Sequence, residues 1–279
     1  MRVAVLGLGL IGGSAALALE ARGYDRDAAA RARARERGID AVESLNEALN
    51  GAEIALLAVP TSETPSLLRE AAATAPDVLF TDVASLKRWI AAAAEALPGK
   101  TCFVGGHPMA GSPMAGIAGA RADLFQDRPW LVVPTDRSDV HSIAAIQELV
   151  RGIGARPAVI DAERHDALMT WASHLPHAVA AALARAVSTG VGSGVERIAG
   201  PGLLDATRIA DTAPGLALEL ALAQPEALAA AIDTVRRDLD ELSGSLRRGD
   251  SAKLRDYFES AAQARNGFSS PSPGGRGKG

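Results

Sequence analysis

Residues 2–6 form a short apolar run that stops at Gly7, and the length and the glycine stop predict a buried strand. From about residue 12 to residue 22, small and apolar positions recur at helical spacing. Residues 28–37 alternate Ala and Arg at high helix propensity and end at Gly38. Residues 54–59, closed by Pro60, read as a second buried strand. Beyond it, 64–74 read as helix, 78–81 as strand and 86–96 as helix, with 103–104 and 130–133 as further strands. Strands alternating with helical segments imply βαβ units and a parallel sheet. After about residue 160 the pattern changes. Residues 162–259 hold no strand-like run, only Ala/Leu-rich helices broken at 190–194, 200–202 and 213–215. The expected architecture is an α/β domain over 1–158, an all-α domain over 159–265, and a Gly/Ser/Pro-rich tail, 266–279, expected to be disordered. A helix over 226–248 is too long for a small monomer to bury one face alone, which points to pairing with a second copy.

Composition narrows this picture only modestly. A chain of 279 residues fits two domains, and 48% hydrophobic with 22% charged residues is an ordinary soluble balance. The net charge of -4 argues against nucleic acid as a partner, because neutralising phosphates takes a basic surface. Cys102 is the only cysteine, so no intrachain disulfide is possible, as suits a reducing compartment. No apolar run reaches the ~18 residues of a membrane span. The first residues also lack the longer apolar region of a secretory signal. A cytoplasmic location is expected.

Candidate chemistry begins at the first strand's end. Gly7-Leu8-Gly9-Leu10-Ile11-Gly12 has the G-x-G-x-x-G spacing directly after a strand and at the start of a helix. There the glycines allow a tight turn and close approach of backbone to a pyrophosphate, and the helix N-terminus supplies N–H groups. The expected ligand is NAD, with NADP left open. An acidic residue should follow at the end of the second strand, but no apolar run lies between Gly23 and Ala28, so that strand is read as shortened or missing. Asp25 and Asp27 are the nearby carboxylates, and Asp27 is equally placed to cap the next helix.

His107 sits in Gly105-Gly106-His107-Pro108, read as a glycine-flanked loop that poses an imidazole at a cleft for proton transfer. His165, His174 and His177 cluster later, with Pro176 implying a helix distortion between them. Without a Cys or Glu cluster or an HExxH, no metal is expected there. His141 reads as a surface residue. Arg208 follows Asp205 closely, as a carboxylate clamp oriented by that aspartate or as a surface ion pair.

Taken together, GLGLIGGS at 7–14, TDVASLK at 81–87, GGHPMAGS at 105–112, Asp123 to Phe125 with Trp130, the segment 161–177 and DATRIA at 205–210 are specific. In this order, over about residues 1–260, the chain resembles the prephenate/arogenate dehydrogenase family. The resemblance implies a Rossmann-like dinucleotide-binding domain and a helical domain that forms a homodimer. It implies oxidation and decarboxylation of a small-molecule substrate, prephenate or arogenate, with hydride passing to the nicotinamide in tyrosine biosynthesis. His107 matches the catalytic histidine that takes the proton of the substrate hydroxyl, and Ser85 the serine that orients it. Ser173 matches a second hydroxyl contact, and His177 and Arg208 match binders of the substrate carboxylates. His165 matches a structural or binding histidine.

Three departures stand out. Relatives often carry Glu where this chain has Pro113, and that Glu is linked to gating. Where relatives often carry Trp and Arg after the DxTR segment, this chain has 213–219, APGLALE. The third is the shortened second strand. No regulatory domain and no fused chorismate mutase is expected after residue 265. A β-hydroxyacid dehydrogenase shares such an architecture but relies on a lysine in its helical domain, and only Lys253 stands there before the tail. A non-catalytic nucleotide sensor is the remaining alternative.

Overall fold

In the computed structural model, which describes residues 1–112, 114–190 and 194–268, the first strand is β1 (Val3–Leu6), buried along its whole length. Its residues alternate between two apolar layers. Val3 and Val5 join one cluster and Ala4 and Leu6 the other. Burial of both faces explains why the strand reads as a continuous apolar run. The chain forms two compact units, Met1–Leu168 and Met169–Gly279. The first unit includes the helix that follows the expected boundary at 158.

In the first unit, α1 (Leu10–Leu19), β2 (Arg22–Tyr24), α2 (Ala28–Glu36), α3 (Leu45–Leu49), β3 (Ile54–Leu57) and α4 (Thr64–Thr74) follow β1. Then come β4 (Leu79–Asp82), α5 (Lys87–Glu95), β5 (Phe103–Pro108), β6 (Pro129–Pro134), α6 (Val140–Gly152), β7 (Arg156–Val159) and α7 (Ala162–Met169). The strand order is β2-β1-β3-β4-β5-β6-β7. Strands β1 to β5 are parallel, and β6 runs antiparallel to β5. The parallel βαβ units expected from the sequence thus run through β5, and the antiparallel β6 is an addition to them. Among the described residues the link from β5 to β6 carries only the single 3-10 turn Ile117–Gly119 and no crossover helix, and the chain returns antiparallel. Both β7 and the helices α3 and α6 add to the elements expected from sequence.

The second strand is present and short, the first of the two alternatives, shortened or missing, expected from the sequence. Glu20 ends α1 in the left-handed conformation, with φ 50° and its N–H bonded to Ala16 O, and Ala21 leads straight into β2. The shortness lies in a two-residue connection and a three-residue strand paired with β1 through Ala4↔Arg22, Val5↔Gly23 and Leu6↔Tyr24. Its outer side is covered where Gly23 N–H donates to Asp40 O and Gly23 O accepts from Val42 N–H.

The second unit is helical: a π-helical turn (Thr170–His174), α8 (Leu175–Gly190), α9 (Pro201–Thr207), α10 (Pro214–Ala223), α11 (Pro225–Arg248) and α12 (Ser251–Gly267). The π turn lies just before Pro176, which has no N–H to give and crowds the carbonyl four residues back. The expected distortion is therefore real. Gly249 closes α11 in the left-handed conformation and Asp250 caps α12, making a helical hairpin. α12 extends through Gly267, so the first two residues of the expected tail are helical. Residues 269–279 of that tail lie outside the described residues, as does Pro113. Among the described residues no single helix is long and apolar enough to cross a membrane.

Candidate active site

The glycine loop joins β1 to α1 and forms one wall of a cleft of about 590 Å³ at the carboxyl ends of β1, β2 and β3. Gly7 has φ +101°, and a Cβ there would lie 2.4 Å from Ala58 O, so only glycine makes this turn beside β3. Gly7, Leu8 and Gly9 line the cleft, while Leu10, Ile11 and Gly12 form the first turn of α1. Gly9 is the N-cap of α1 and offers no side chain to its N–H groups, and nothing lies within 4 Å of where its Cβ would stand. The open N–H groups and the partial positive charge of that turn suit a pyrophosphate.

Asp25 directly follows β2. Its Oδ2 accepts from Leu8 N–H at 2.8 Å and its Oδ1 from Asp27 N–H at 2.9 Å, which fixes the carboxylate beside the loop. A carboxylate at the second strand's end is the acceptor that a ribose hydroxyl donates to. The residues present therefore fit a nicotinamide dinucleotide. Asp27 lines the same cleft, but its Oδ1 accepts from Ala29 N–H at 2.9 Å as the cap of α2, and Arg33 lies 3.5 Å from its Oδ2. Arg26 pairs with Glu63 at 2.9 Å.

His107 lies within β5, opposite Leu131 of β6, rather than in a loop. Gly105 and Gly106 are strand residues there because the neighbouring chain comes close. A Cβ on Gly106 would stand 2.5 Å from Asp82 O. Strand register puts Leu6, Leu57 and Asp82 level across the sheet, and His107 lies beyond them on β5, at the carboxyl edge that carries the glycine loop. Thr61 and Ser85, after β3 and β4, lie along that edge with their hydroxyl oxygens 3.4 Å apart.

Beneath His107, Lys87 and Asp82 form a pair only 1% and 0% exposed. Lys87 Nζ donates to Asp82 Oδ2 at 2.5 Å and to Gly106 O at 2.6 Å. Asp82 also accepts from Gly106 N–H and Ala84 N–H, both at 3.0 Å. Burial pushes the Lys87 ammonium below its ordinary value, and the facing Asp82 carboxylate opposes that shift. Beside His107, its Nδ1 meets His165 Nε2 at 2.9 Å, and His165 Nδ1 meets Asp166 Oδ1 at 2.7 Å. His165 is 0% exposed and engaged at both ring nitrogens, by His107 and by Asp166. Asp166 accepts from Lys87 N–H at 2.8 Å and Arg88 N–H at 3.0 Å. Burial would raise the Asp166 carboxyl, but hydrogen bonds from His165 and these two amides hold it below its ordinary value.

In the second unit, His177 Nδ1–H donates to Ser173 O at 2.8 Å, which turns Nε2 outward from that bond. Ser173 belongs to the π turn and Arg208 to the 3-10 turn Arg208–Asp211, which packs against α8. Arg208 and Asp205 are exposed, and among the described residues no ion pair joins them, so the expected orientation of Arg208 by Asp205 is not formed. Sequence reasoning missed Asp82, Lys87 and Asp166. The signals were present: an Asp and a Lys five residues apart across a strand-to-helix turn, and an acid adjoining His165.

A mostly parallel sheet with a glycine loop, an acid after its second strand, a buttressed histidine on its carboxyl edge and a helical second unit define a dehydrogenase architecture. Residues 16–159 match the family model of the prephenate dehydrogenase nucleotide-binding domain, and residues 161–260 that of the prephenate dehydrogenase dimerization domain. Prephenate dehydrogenase of Bacillus subtilis (strain 168) is 31% identical over 280 residues, covering 95% of this chain and 76% of that protein. The crystal structure of Synechocystis arogenate dehydrogenase is 29% identical and superposes with TM-score 0.83 over 96% of this chain and 100% of its own. That of Aquifex aeolicus prephenate dehydrogenase with hydroxyphenyl propionate and NAD+ is 25% identical, with TM-score 0.87 over 96% and 99%. The chain belongs to the prephenate dehydrogenase family.

Proposed function

We propose that this protein catalyses the oxidative decarboxylation of prephenate or arogenate, with NAD as the hydride acceptor. The observation that carries the reading is His107 on the sheet's carboxyl edge, backed by His165 and Asp166, in a chain of this family. Bound in the cleft, the nicotinamide supplies an acceptor for the hydride leaving the ring carbon that bears the hydroxyl. His107 takes the hydroxyl proton, which builds charge on oxygen and drives hydride departure. The bond to the ring carboxylate then breaks, carbon dioxide leaves, and its electron pair completes an aromatic ring. Ser85 orients His107 and Ser173 serves as a second hydroxyl contact, with Arg208 and His177 as carboxylate binders, Arg208 through a bidentate guanidinium. Asp205 is a substrate-side carboxylate of lesser weight.

NAD is favoured over NADP because Asp25 is fixed at the ribose position, where a 2′-phosphate would meet a carboxylate. The cations nearby, Arg26 and Arg33, already face Glu63 and Asp27. A homodimer is supported by the small apolar cluster in the second unit, Leu175, Leu228 and Ala231 with two partly buried neighbours. Leu216, Leu222, Ile232, Leu239, Leu246 and Phe258 are exposed in the single chain. A cytoplasmic location accords with a soluble family. The test is a rate assay of reduced-nicotinamide absorbance that crosses prephenate and arogenate with NAD and NADP. Turnover with NAD is expected. Silence in all four combinations, from folded protein, would favour a nucleotide sensor.

A further inference from the structure

Three side chains in the first unit form a directed chain of hydrogen bonds, and its direction follows from what each end is able to donate. Lys87 and Arg88 open α5, whose N-cap Leu86 has no capping side chain. Their N–H groups can only donate, and Asp166 accepts both. Asp166 thus caps a helix 79 residues away in sequence and is held as a carboxylate. A carboxylate has no proton to give, so the 2.7 Å contact with His165 Nδ1 requires that nitrogen to be the donor. A neutral imidazole carries one N–H, so His165 Nε2 is then an acceptor. The 2.9 Å contact with His107 Nδ1 requires His107 to donate from Nδ1. The lone pair of His107 is thereby placed on Nε2. The alternative, a doubly protonated His165, puts a second cation at a 0% exposed position near the buried Lys87 ammonium, where desolvation opposes it.

We propose that Asp166 and His165 are positioning residues that hold His107 in the Nδ1–H form, so that Nε2 is the atom that receives the substrate proton. The proposal rests on the reading of His107 as that acceptor. It also deepens the reading. Once His107 Nε2 has taken the proton, the imidazolium shares its charge, through the His165 ring, with the Asp166 carboxylate. The charged groups around this chain include Asp166 itself and the Lys87–Asp82 pair on the strand-to-helix turn. The same logic orients the histidine of a serine protease triad, where amide replacement of the aspartate leaves the wrong tautomer and lowers kcat by about 10⁴.

The direct test is long-range proton–nitrogen correlation spectroscopy on full-length wild-type protein with 15N-labelled histidines, at about pH 8 where imidazoles are neutral. His107→Asn and His165→Phe spectra assign the signals. Both rings are expected in the Nδ1–H form. His107 found as Nε2–H, or His165 found doubly protonated, overturns the proposal. This measurement needs no variant to be active. In parallel, His165→Phe and Asp166→Asn are expected to lower kcat by about 10²–10⁴-fold, with substrate KM and NAD Kd changed less than about threefold. His165→Phe turning over at the wild-type rate overturns it as well. A wild-type protein that turns over neither substrate would instead sink the base reading of His107, while the spectrum still decides the direction of the chain.

Discussion

Replacing Lys87 by Met tests whether the floor of the site is electrostatic or merely packed. The ammonium is 1% exposed and donates to Asp82 Oδ2 and Gly106 O. Met keeps the length and apolar stem but strips Asp82 of its cation, leaving a fully buried carboxylate held only by the Gly106 and Ala84 N–H groups. Removing one partner of a buried ion pair costs about 3–5 kcal/mol. At ~2–4 °C per kcal/mol for a unit of this size, the melting temperature should fall by about 6–20 °C. The double variant Asp82→Asn with Lys87→Met removes both charges and should recover much of that loss, because the cost lies in the orphaned charge rather than in the absent pair. Thermal unfolding followed by fluorescence, with Trp130 fully buried in the same unit as a reporter, reads both variants. A shift below about 2 °C for Lys87→Met, or a double variant no more stable than the single one, would refute the reasoning.

Other residues give sharper readouts of single steps. Asp25→Ala should raise the KM for NAD about tenfold or more, as loss of a hydrogen bond to a charged group would, and narrow the preference over NADP; an unchanged KM removes Asp25 from the ribose. Gly7→Ala forces a side chain onto φ +101° and against Ala58 O, and should cost about 2–5 kcal/mol together with nucleotide binding; a variant that binds NAD normally sinks the turn argument. The Asp166 carboxyl is held below its ordinary value, so the stability it adds is present above about pH 4 and is lost as the pH falls below 3.8 through the folded value. Asp166→Asn should thus unfold more easily than wild type at pH 7, by about 1.5–3 kcal/mol, with the gap closing in acid; a gap independent of pH contradicts the linkage.

Much of this fold was legible because local chemistry and global architecture agree. The first strand, the glycine loop and the helix over 64–74 follow from short apolar runs, glycine spacing and proline stops, each of which acts within a few residues. β2 was not legible because Arg22-Gly23-Tyr24 has no apolar run to read. Backbone pairing with β1 and the 40–42 segment makes it a strand. β7 hides for a similar reason, since Arg156 and Pro157 open an edge strand that is largely exposed. Gly105 and Gly106 misled in the opposite direction. Glycine suggests a loop, but here it admits Asp82 and Lys87 against a strand. The residues of the candidate site were visible one at a time, whereas their partners were not. Asp166 reaches Lys87 from 79 positions away, and no spacing rule predicts a helix cap at that distance.

The most direct test of the central claim is kcat for His107→Asn with NAD and whichever of prephenate and arogenate the wild type prefers, measured beside NAD affinity by titration calorimetry. A fall in kcat of about 10²–10⁴-fold with NAD Kd unchanged is the expected result, because the asparagine keeps the bulk of the side chain and loses the base. Wild-type turnover in that variant would mean that the substrate proton leaves by another route, and that His107 is part of the scaffold rather than of the chemistry.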